Sequence, residues 1–253
     1  MFSLESKVAL VTGASGALGR DISTALAGAG ADVILVGRNP DRLRETARMV
    51  EDKGRKSHTI IADLSESEDI ARIIQESKDQ FQSVDILVNN AATNVFKKAE
   101  KFTGEDFDLI FTTNVKGPFS LSQGLSEIMK SNGGGNIVFV VSQLGQTAMN
   151  FACLYGATKA ALMQITRSLA FEWAEYNIRV NSVSPGPWST GMLEPVFKDG
   201  VTEEALARMT PSGRLGGEGD IGGAVIFLVS DAERHITGQD LIVDGGFSIC
   251  KIV

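Results

Sequence analysis

Lys7-Val8-Ala9-Leu10-Val11-Thr12-Gly13-Ala14-Ser15-Gly16-Ala17-Leu18-Gly19 is the stretch on which the fold turns. Its first six residues read as a buried strand, and Leu18 to Ala29 carries the apolar spacing of a helix, so Gly13 and Gly16 fall in the turn between them and Gly19 at the helix start. Glycine lets a backbone come close to a pyrophosphate, while the helix N-terminus adds free N–H groups and a positive dipole. Gly13, Ser15, Gly16, Leu18 and Gly19 are therefore candidate phosphate contacts. The competing reading is a tight turn with no ligand. A serine-hydrolase elbow would need glycine at position 17, and Ala17, together with a supply of only two histidines, opposes it.

Outward from this turn the same alternation continues. Strands are expected at Asp32 to Val36, Ser57 to Ala62, Val84 to Asn89, Asn136 to Ser142, Ile178 to Val183 and Asp240 to Val243. Helices are expected from Asn39-Pro40, a cap followed by a first-turn proline, to about Lys53, then Glu66 to Gln80, Gly104 to Lys130, Asn150 to Glu175 and Ile221 to Ser230. No linker, charge block or repeat interrupts the series. Strand-helix-strand units require right-handed crossovers, so the expected fold is a single doubly wound α/β domain over 1–253, a parallel sheet of about seven strands with helices on both faces. Ligands of such sheets sit beyond the carboxyl ends of the strands.

Composition narrows the function. The 253 residues are 43% hydrophobic and 22% charged, which suits a globular protein. Lys plus Arg number 24 against 31 Asp plus Glu, a net charge of −7 that gives nucleic acid no basic footprint. The longest apolar run, Ile137 to Val141, is far short of a membrane span, and a cytoplasmic protein is expected. Two cysteines, Cys153 and Cys250, and two histidines, His58 and His235, make neither a disulfide framework nor a metal site.

A residue reading the adenosine ribose is expected about twenty positions beyond the glycine turn, where NAD sites carry Asp or Glu. Here Val36-Gly37-Arg38-Asn39 offers a guanidinium and no carboxylate, which suits a 2′-phosphate. NADP(H) is favoured over NAD(H), with Arg38 and Asn39 at the site. A solvated loop arginine is the alternative.

Further on, Ser142 precedes Tyr155-Gly156-Ala157-Thr158-Lys159, which sets Tyr155 and Lys159 on one helical face. A tyrosine acting as a base near pH 7 needs its pKa lowered by roughly three units, about 4 kcal/mol. One ammonium about 4 Å away at an effective dielectric near 20 supplies a contribution of that size.

Together Thr12 to Gly19, Asp63-Leu64, Asn89-Asn90-Ala91, Asn114, Ser142, Tyr155 with Lys159, Asn181, Pro185-Gly186 and Thr190 resemble the short-chain dehydrogenase/reductase family, single-domain branch, over essentially the whole chain. The resemblance implies a Rossmann-type oxidoreductase interconverting a ketone and a secondary alcohol. It makes Tyr155 the general acid/base, Lys159 its pKa-lowering partner and a ribose ligand, Ser142 the group polarising the substrate oxygen, and Asn114 the anchor of a relay water. It also sets Asp63 and Leu64 at the adenine, Asn90 and Ala91 along the cofactor, and Pro185, Gly186, Trp188 and Thr190 around the nicotinamide. Each has a plainer alternative as a cap, turn or packing residue.

The chain departs from the family pattern twice: Gly16 comes one place early with Ala17 at the usual glycine position, and Ala92 stands where glycine is preferred. A slightly altered phosphate turn is expected. Trp188, Met192, Leu193 and Phe197, with Met149, Phe151 and Leu154, suggest a mostly apolar substrate pocket. A 3-oxoacyl thioester reductase, a sugar-acid dehydrogenase and a non-catalytic dinucleotide sensor remain alternatives. Relatives usually pair their long helices, and apolar Phe111, Phe119, Leu121, Leu125, Phe171 and Trp173 on those helices point to a homotetramer.

Overall fold

The structure is a computed structural model that describes residues 1–81, 83–189 and 202–249. Strands β1 (Val8–Thr12), β2 (Asp32–Gly37), β3 (Ser57–Ile61), β4 (Ile86–Asn89), β5 (Gly135–Val140), β6 (Ile178–Pro185) and β7 (Asp240–Val243) form one sheet in the order β3-β2-β1-β4-β5-β6-β7. Every pairing is parallel. The chain winds outward from β1 to β3 and then restarts at β4 on the other side, which opens a crevice beyond the carboxyl ends of β1 and β4.

All five residues of β1 are buried, as a central strand covered on both faces requires. Alternation then divides them between two cores: Leu10 joins Val36, Phe139 and Leu121 on one face, and Ala9 and Val11 join Ile22, Leu35 and Val225 on the other. The first core is closed by α3 (Ser67–Phe81), α5 (Gly117–Ser131) and α6 (Cys153–Trp173), the second by α1 (Ala17–Gly28), α2 (Pro40–Glu51) and the helix Gly222–Val229.

Asn39 caps α2 as its sequence predicts, its Oδ1 accepting the Arg42 N–H at 3.0 Å. The helix expected from Gly104 to Lys130 is instead α4 (Gly104–Phe111), a π-helical stretch at Thr112–Lys116 and then α5. Asn114 lies in that stretch, where its carboxamide grips the Thr93 backbone. A short helix, α7 (Glu203–Met209), was not expected; Thr202 caps it through the Ala205 N–H at 3.1 Å. The last helix, Gly222–Val229, is α8.

The two ends of the winding meet at Asp21 on α1. Its carboxylate accepts the N–H groups of Gly219 at 3.0 Å and Ile221 at 3.3 Å. Gly222 sits so close to α1 that a Cβ there would lie 2.3 Å from the Ala25 methyl.

Of the apolar residues on the long helices, one face of which is expected to meet the sheet and another a second subunit, Leu121, Leu125 and Trp173 belong to the core, and Phe119 packs against it. Phe171 is 87% exposed, and Phe107 stacks on Phe111 with ring centroids 4.2 Å apart. Among the described residues no helix is long and apolar enough to cross a membrane.

Candidate active site

Two of the three glycines in the first turn are dictated by geometry. Gly13 has φ +64°, and a Cβ there would lie 2.9 Å from the Ala91 Cα; a Cβ on Gly19 would lie 2.2 Å from the Gly13 carbonyl. Gly16 has φ −88° and its nearest neighbour would be 3.4 Å away, so its role is helix entry rather than clearance. Ala17 is exposed, which explains how a methyl group is accommodated at that position. Ala92 likewise avoids the left-handed backbone region.

The turn is tied to the end of β4. Thr12 Oγ1 accepts the N–H groups of Asn90 and Ala91, both at 3.0 Å, and Asn90 Nδ2 donates to the Thr12 carbonyl at 2.9 Å and the Gly13 carbonyl at 3.3 Å. Thr46 on α2 donates to the Ala14 carbonyl at 3.0 Å. The first hydrogen bond of α1 runs from Arg20 N–H to the Gly16 carbonyl, which leaves the N–H groups of Ala17, Leu18 and Gly19 without an acceptor among the described residues. Such amides on a helix N-terminus fit a pyrophosphate.

From this turn a cleft of about 1150 Å³ runs along the sheet edge, and Gly13, Ser15, Gly16, Leu18, Gly19, Arg38, Asn39, Asp63 and Leu64 line one half of it. Arg38 donates to Asp63 at 3.3 Å with its side chain 74% exposed. Burial works against the Asp63 carboxylate, but the Ser65 N–H and hydroxyl and the Arg38 guanidinium hold its pKa below the ordinary value. Asp63 thus caps the following turn while facing the cleft. Asn39 lines the cleft through a side chain whose Oδ1 is committed to the cap. Arg42 and Arg20, not anticipated from sequence, line this half as well.

Asn90, Ala91, Ser142, Tyr155, Lys159, Pro185, Gly186 and Trp188 line the other half. Ser142, buried at the end of β5, has its Oγ accepting the Leu144 N–H at 3.2 Å. It also hydrogen-bonds the Tyr155 hydroxyl. Lys159 is buried on the same face of α6, its Nζ 5.4 Å from the Tyr155 ring centroid and donating to the Val140 carbonyl at 2.9 Å.

Electrostatics here depart from the sequence expectation. Desolvation raises the Tyr155 pKa to about 12, opposed by the Ser142 hydrogen bond, and lowers that of Lys159 to about 7. The ammonium does not bring the tyrosine down, because both groups are dry and burial penalises both charges. At neutral pH Tyr155 carries its proton.

Asn114 does not line the cleft. Its Oδ1 accepts the Thr93 N–H at 2.7 Å, and its Nδ2 donates to the Thr93 carbonyl at 2.8 Å and the Thr158 hydroxyl at 3.2 Å, so it fixes the loop after β4 to α6. Asn181 also ties backbone, bonding to the Ile236 carbonyl and the Gln239 N–H at 3.0 Å each. Gly186 is required because a Cβ would sit 2.5 Å from that of Asp244, and Trp188 lies flat on Gly216. Of the apolar residues expected at the substrate end, Trp188 and Met149 line the cleft; Phe151, which is exposed, and Leu154 do not. Thr190, Met192, Leu193 and Phe197 lie outside the described residues. Sequence reading missed Phe96, Leu144, Leu206 and Phe247, and two carboxamides, Asn94 and Gln143.

A family model described as enoyl-(acyl carrier protein) reductase matches residues 13–248. The chain is 39% identical over 249 residues to a tropinone reductase homolog of Arabidopsis thaliana, covering 98% of this chain and 92% of that one. It superposes with TM-score 0.93 and 30% identity on a gluconate 5-dehydrogenase from Burkholderia cenocepacia J2315 in complex with NADP and tartrate, covering 99% and 98% of the two chains. A short-chain type dehydrogenase/reductase from Mycobacterium marinum matches with TM-score 0.91 and 32% identity over 97% of each chain.

Proposed function

The chain belongs to the short-chain dehydrogenase/reductase family and is an oxidoreductase of CH–OH and C=O groups that uses a nicotinamide dinucleotide; from that premise we propose that it reduces a ketone with NADP(H), in preference to NAD(H), using Tyr155 as the proton donor. The observation that carries this reading is the shared cleft: Ser142, Tyr155 and Lys159 line one half and the free amides of α1 the other.

The cofactor residues divide by chemistry. The Ala17, Leu18 and Gly19 amides would hold the pyrophosphate, Ser15 and Arg38 the 2′-phosphate, Asp63 and Leu64 the adenine side, and Asn90, Ala91, Pro185 and Gly186 the nicotinamide side. A bound nicotinamide supplies the hydride. Ser142 Oγ accepts the Leu144 N–H and its hydroxyl faces Tyr155, so that on binding it would turn its proton to the substrate oxygen. Tyr155, protonated because its pKa is raised to about 12, delivers the proton as that oxygen gains charge. Lys159 orients the ribose, and Asn114 acts as a positioning residue through Thr93.

Reduction draws on the protonated Tyr155 present at neutral pH, and oxidation would draw on the phenolate that burial opposes. We further read residues 1–253 as one domain and the protein as a cytoplasmic homotetramer, supported by the exposed Phe171 and the Phe107–Phe111 stack on α4 and by the habit of the family.

Monitoring NADPH oxidation across a panel of ketones, with a sugar-derived keto acid and a 3-oxoacyl thioester both free and carried on an acyl carrier protein, tests the reading. Turnover of at least one small ketone is expected, with no gain from the carrier. Of the basic groups a carrier could use, Lys130 pairs with Glu127 at 2.7 Å and Arg179 donates inward to the Leu228 carbonyl at 2.7 Å, whereas Arg167 is exposed and Lys198 lies outside the described residues. No oxidation with any carbonyl compound would sink the proposal.

A further inference from the structure

Behind the ion pair of Arg38 and Asp63 stands a second pair, on α3, that does not line the cleft. Asp69 lies in the first turn of α3 and Arg72 one turn further on, and their side chains meet at 2.5 Å. Both also grip the chain where it leaves β3. Asp69 Oδ2 accepts the Asp63 N–H at 2.7 Å, and Arg72 Nη2 donates to the Ile61 carbonyl, also at 2.7 Å. One pair of side chains thus holds the main chain on either side of Ala62. Glu76, a turn further along α3, accepts Arg72 Nη1 at 3.3 Å and steadies the guanidinium in that pose.

The segment so held is the one that faces the adenosine half: Ala62, Asp63 and Leu64 all line the cleft. The Ala62 N–H donates to the Gly37 carbonyl at 3.0 Å, which ties the segment to the residue before Arg38. Asp63 Oδ1 accepts the Ser65 N–H and hydroxyl at 2.9 and 2.8 Å, and Oδ2 accepts Arg38 at 3.3 Å. With its main chain and one carboxylate oxygen fixed, Asp63 has the other oxygen left to aim Arg38. An arginine side chain 74% exposed otherwise samples many rotamers, and a ligand that needs it in one place must order it on binding.

We propose that Asp69 and Arg72 are positioning residues for the choice of cofactor: by fixing Asp63 they hold Arg38 ready for a 2′-phosphate, without touching the dinucleotide themselves; this rests on the NADP(H) reading above. The two side chains carry opposite charges, and that separates a clamp from a field. Removing Asp69 makes the adenosine end more positive and removing Arg72 makes it more negative, so through the field alone the two losses would move 2′-phosphate affinity in opposite directions. Through the clamp both lower it, because either loss releases the chain beside Ala62 and with it the carboxylate that aims Arg38.

The test is the ratio of the Kd for NADH to the Kd for NADPH, both read by fluorescence titration on one preparation of each protein, so that loss of folded material cancels. Wild type is expected to favour NADPH by about tenfold. Asp69→Ala and Arg72→Met should each lower that preference by about threefold or more, whereas Asp69→Asn, which keeps an acceptor for the Asp63 N–H, should retain most of it. With Arg38 already changed to alanine, neither substitution should move the ratio further. Shifts of opposite sign for the two substitutions, a ratio that neither moves, or the same shift in the Arg38→Ala background overturns the inference and leaves the NADP(H) reading standing. Wild-type protein that binds NADPH no tighter than NADH removes the NADP(H) reading, and this inference with it.

Discussion

Lys159 donates to the main-chain carbonyl of Val140 at 2.9 Å from a site where the residue is only 2% exposed. The contact anchors α6 to the end of β5. Because burial lowers the Lys159 pKa from 10.5 to about 7, the unfolded chain binds one more proton than the folded one between those two values. Folded stability should therefore rise with pH from 7 to about 10.5 on account of this group, and below pH 7 the group adds no slope. In Lys159→Met that contribution is absent. Urea midpoints of wild type minus variant, followed from pH 6 to 10, should be level below pH 7 and climb above it; a level difference throughout would mean that the buried ammonium keeps its proton.

Tyr155→Phe removes the transferable proton and keeps the ring that fills the cleft. Turnover should fall by about 10²- to 10⁴-fold, while NADPH affinity, read by fluorescence titration, stays nearly unchanged. Retention of most activity on the best ketone would reassign the acid.

Arg38 faces the cleft with most of its side chain in solvent and, among the described residues, only Asp63 as a partner. Charge-assisted hydrogen bonds to a 2′-phosphate favour NADPH by about ten- to a hundredfold, and solvent screening puts the expectation at the lower end. Arg38→Ala should erase that preference and leave NADH kinetics alone. Equal use of both cofactors by wild-type protein would count decisively against the assignment.

Among the turn glycines, substitutions should separate sharply. Gly19→Ala drives a methyl group to 2.2 Å from the Gly13 carbonyl, so the turn must open; a loss of about 1–3 kcal/mol in stability and of measurable NADPH binding is expected. Gly16→Ala meets no protein atom closer than 3.4 Å, so it should impair NADPH binding far less than Gly19→Ala. Calorimetric titration of the two variants decides, and equal impairment would show the geometric distinction to be wrong.

Phe171 lies on α6 with 87% of its surface exposed, which leaves its ring available to the proposed subunit contact. Phe171→Glu should shift the mass measured by light scattering from tetramer toward smaller species at micromolar concentration, with the far-ultraviolet spectrum intact. A wild-type protein that is already monomeric would reject the assembly.

Local signals carried much of the fold. The capping pair Asn39-Pro40 is where α2 begins, and the glycines at 133–135 mark the end of α5, because turn and cap chemistry depends on neighbours in the chain. The Thr202-Glu203-Glu204 start of α7 carries the same kind of cap signal, but its 7 residues are too few for a helical period to stand out. Contacts distant in sequence were not readable in this way. The π-helical stretch at Asn114 coincides with its hold on Thr93, twenty-one positions earlier, and no periodicity reports such a partner. The same holds for Asn94, whose lack of a donor is a property of its surroundings. Spacing did place Tyr155 and Lys159 on one face, but charge in a dry site depends on desolvation, which a helical repeat cannot register.

The tie between Asp21 and the amides of Gly219 and Ile221 also bears on the order in which the protein is made. The ribosome delivers the phosphate-gripping turn and its helix first, yet the donors that fasten that helix arrive 198 and 200 residues later. Until then the Asp21 carboxylate has only water for company, and the first helix lacks its last packing neighbour. A growing chain is therefore without a finished cofactor grip for most of its synthesis, and acquires one only near completion.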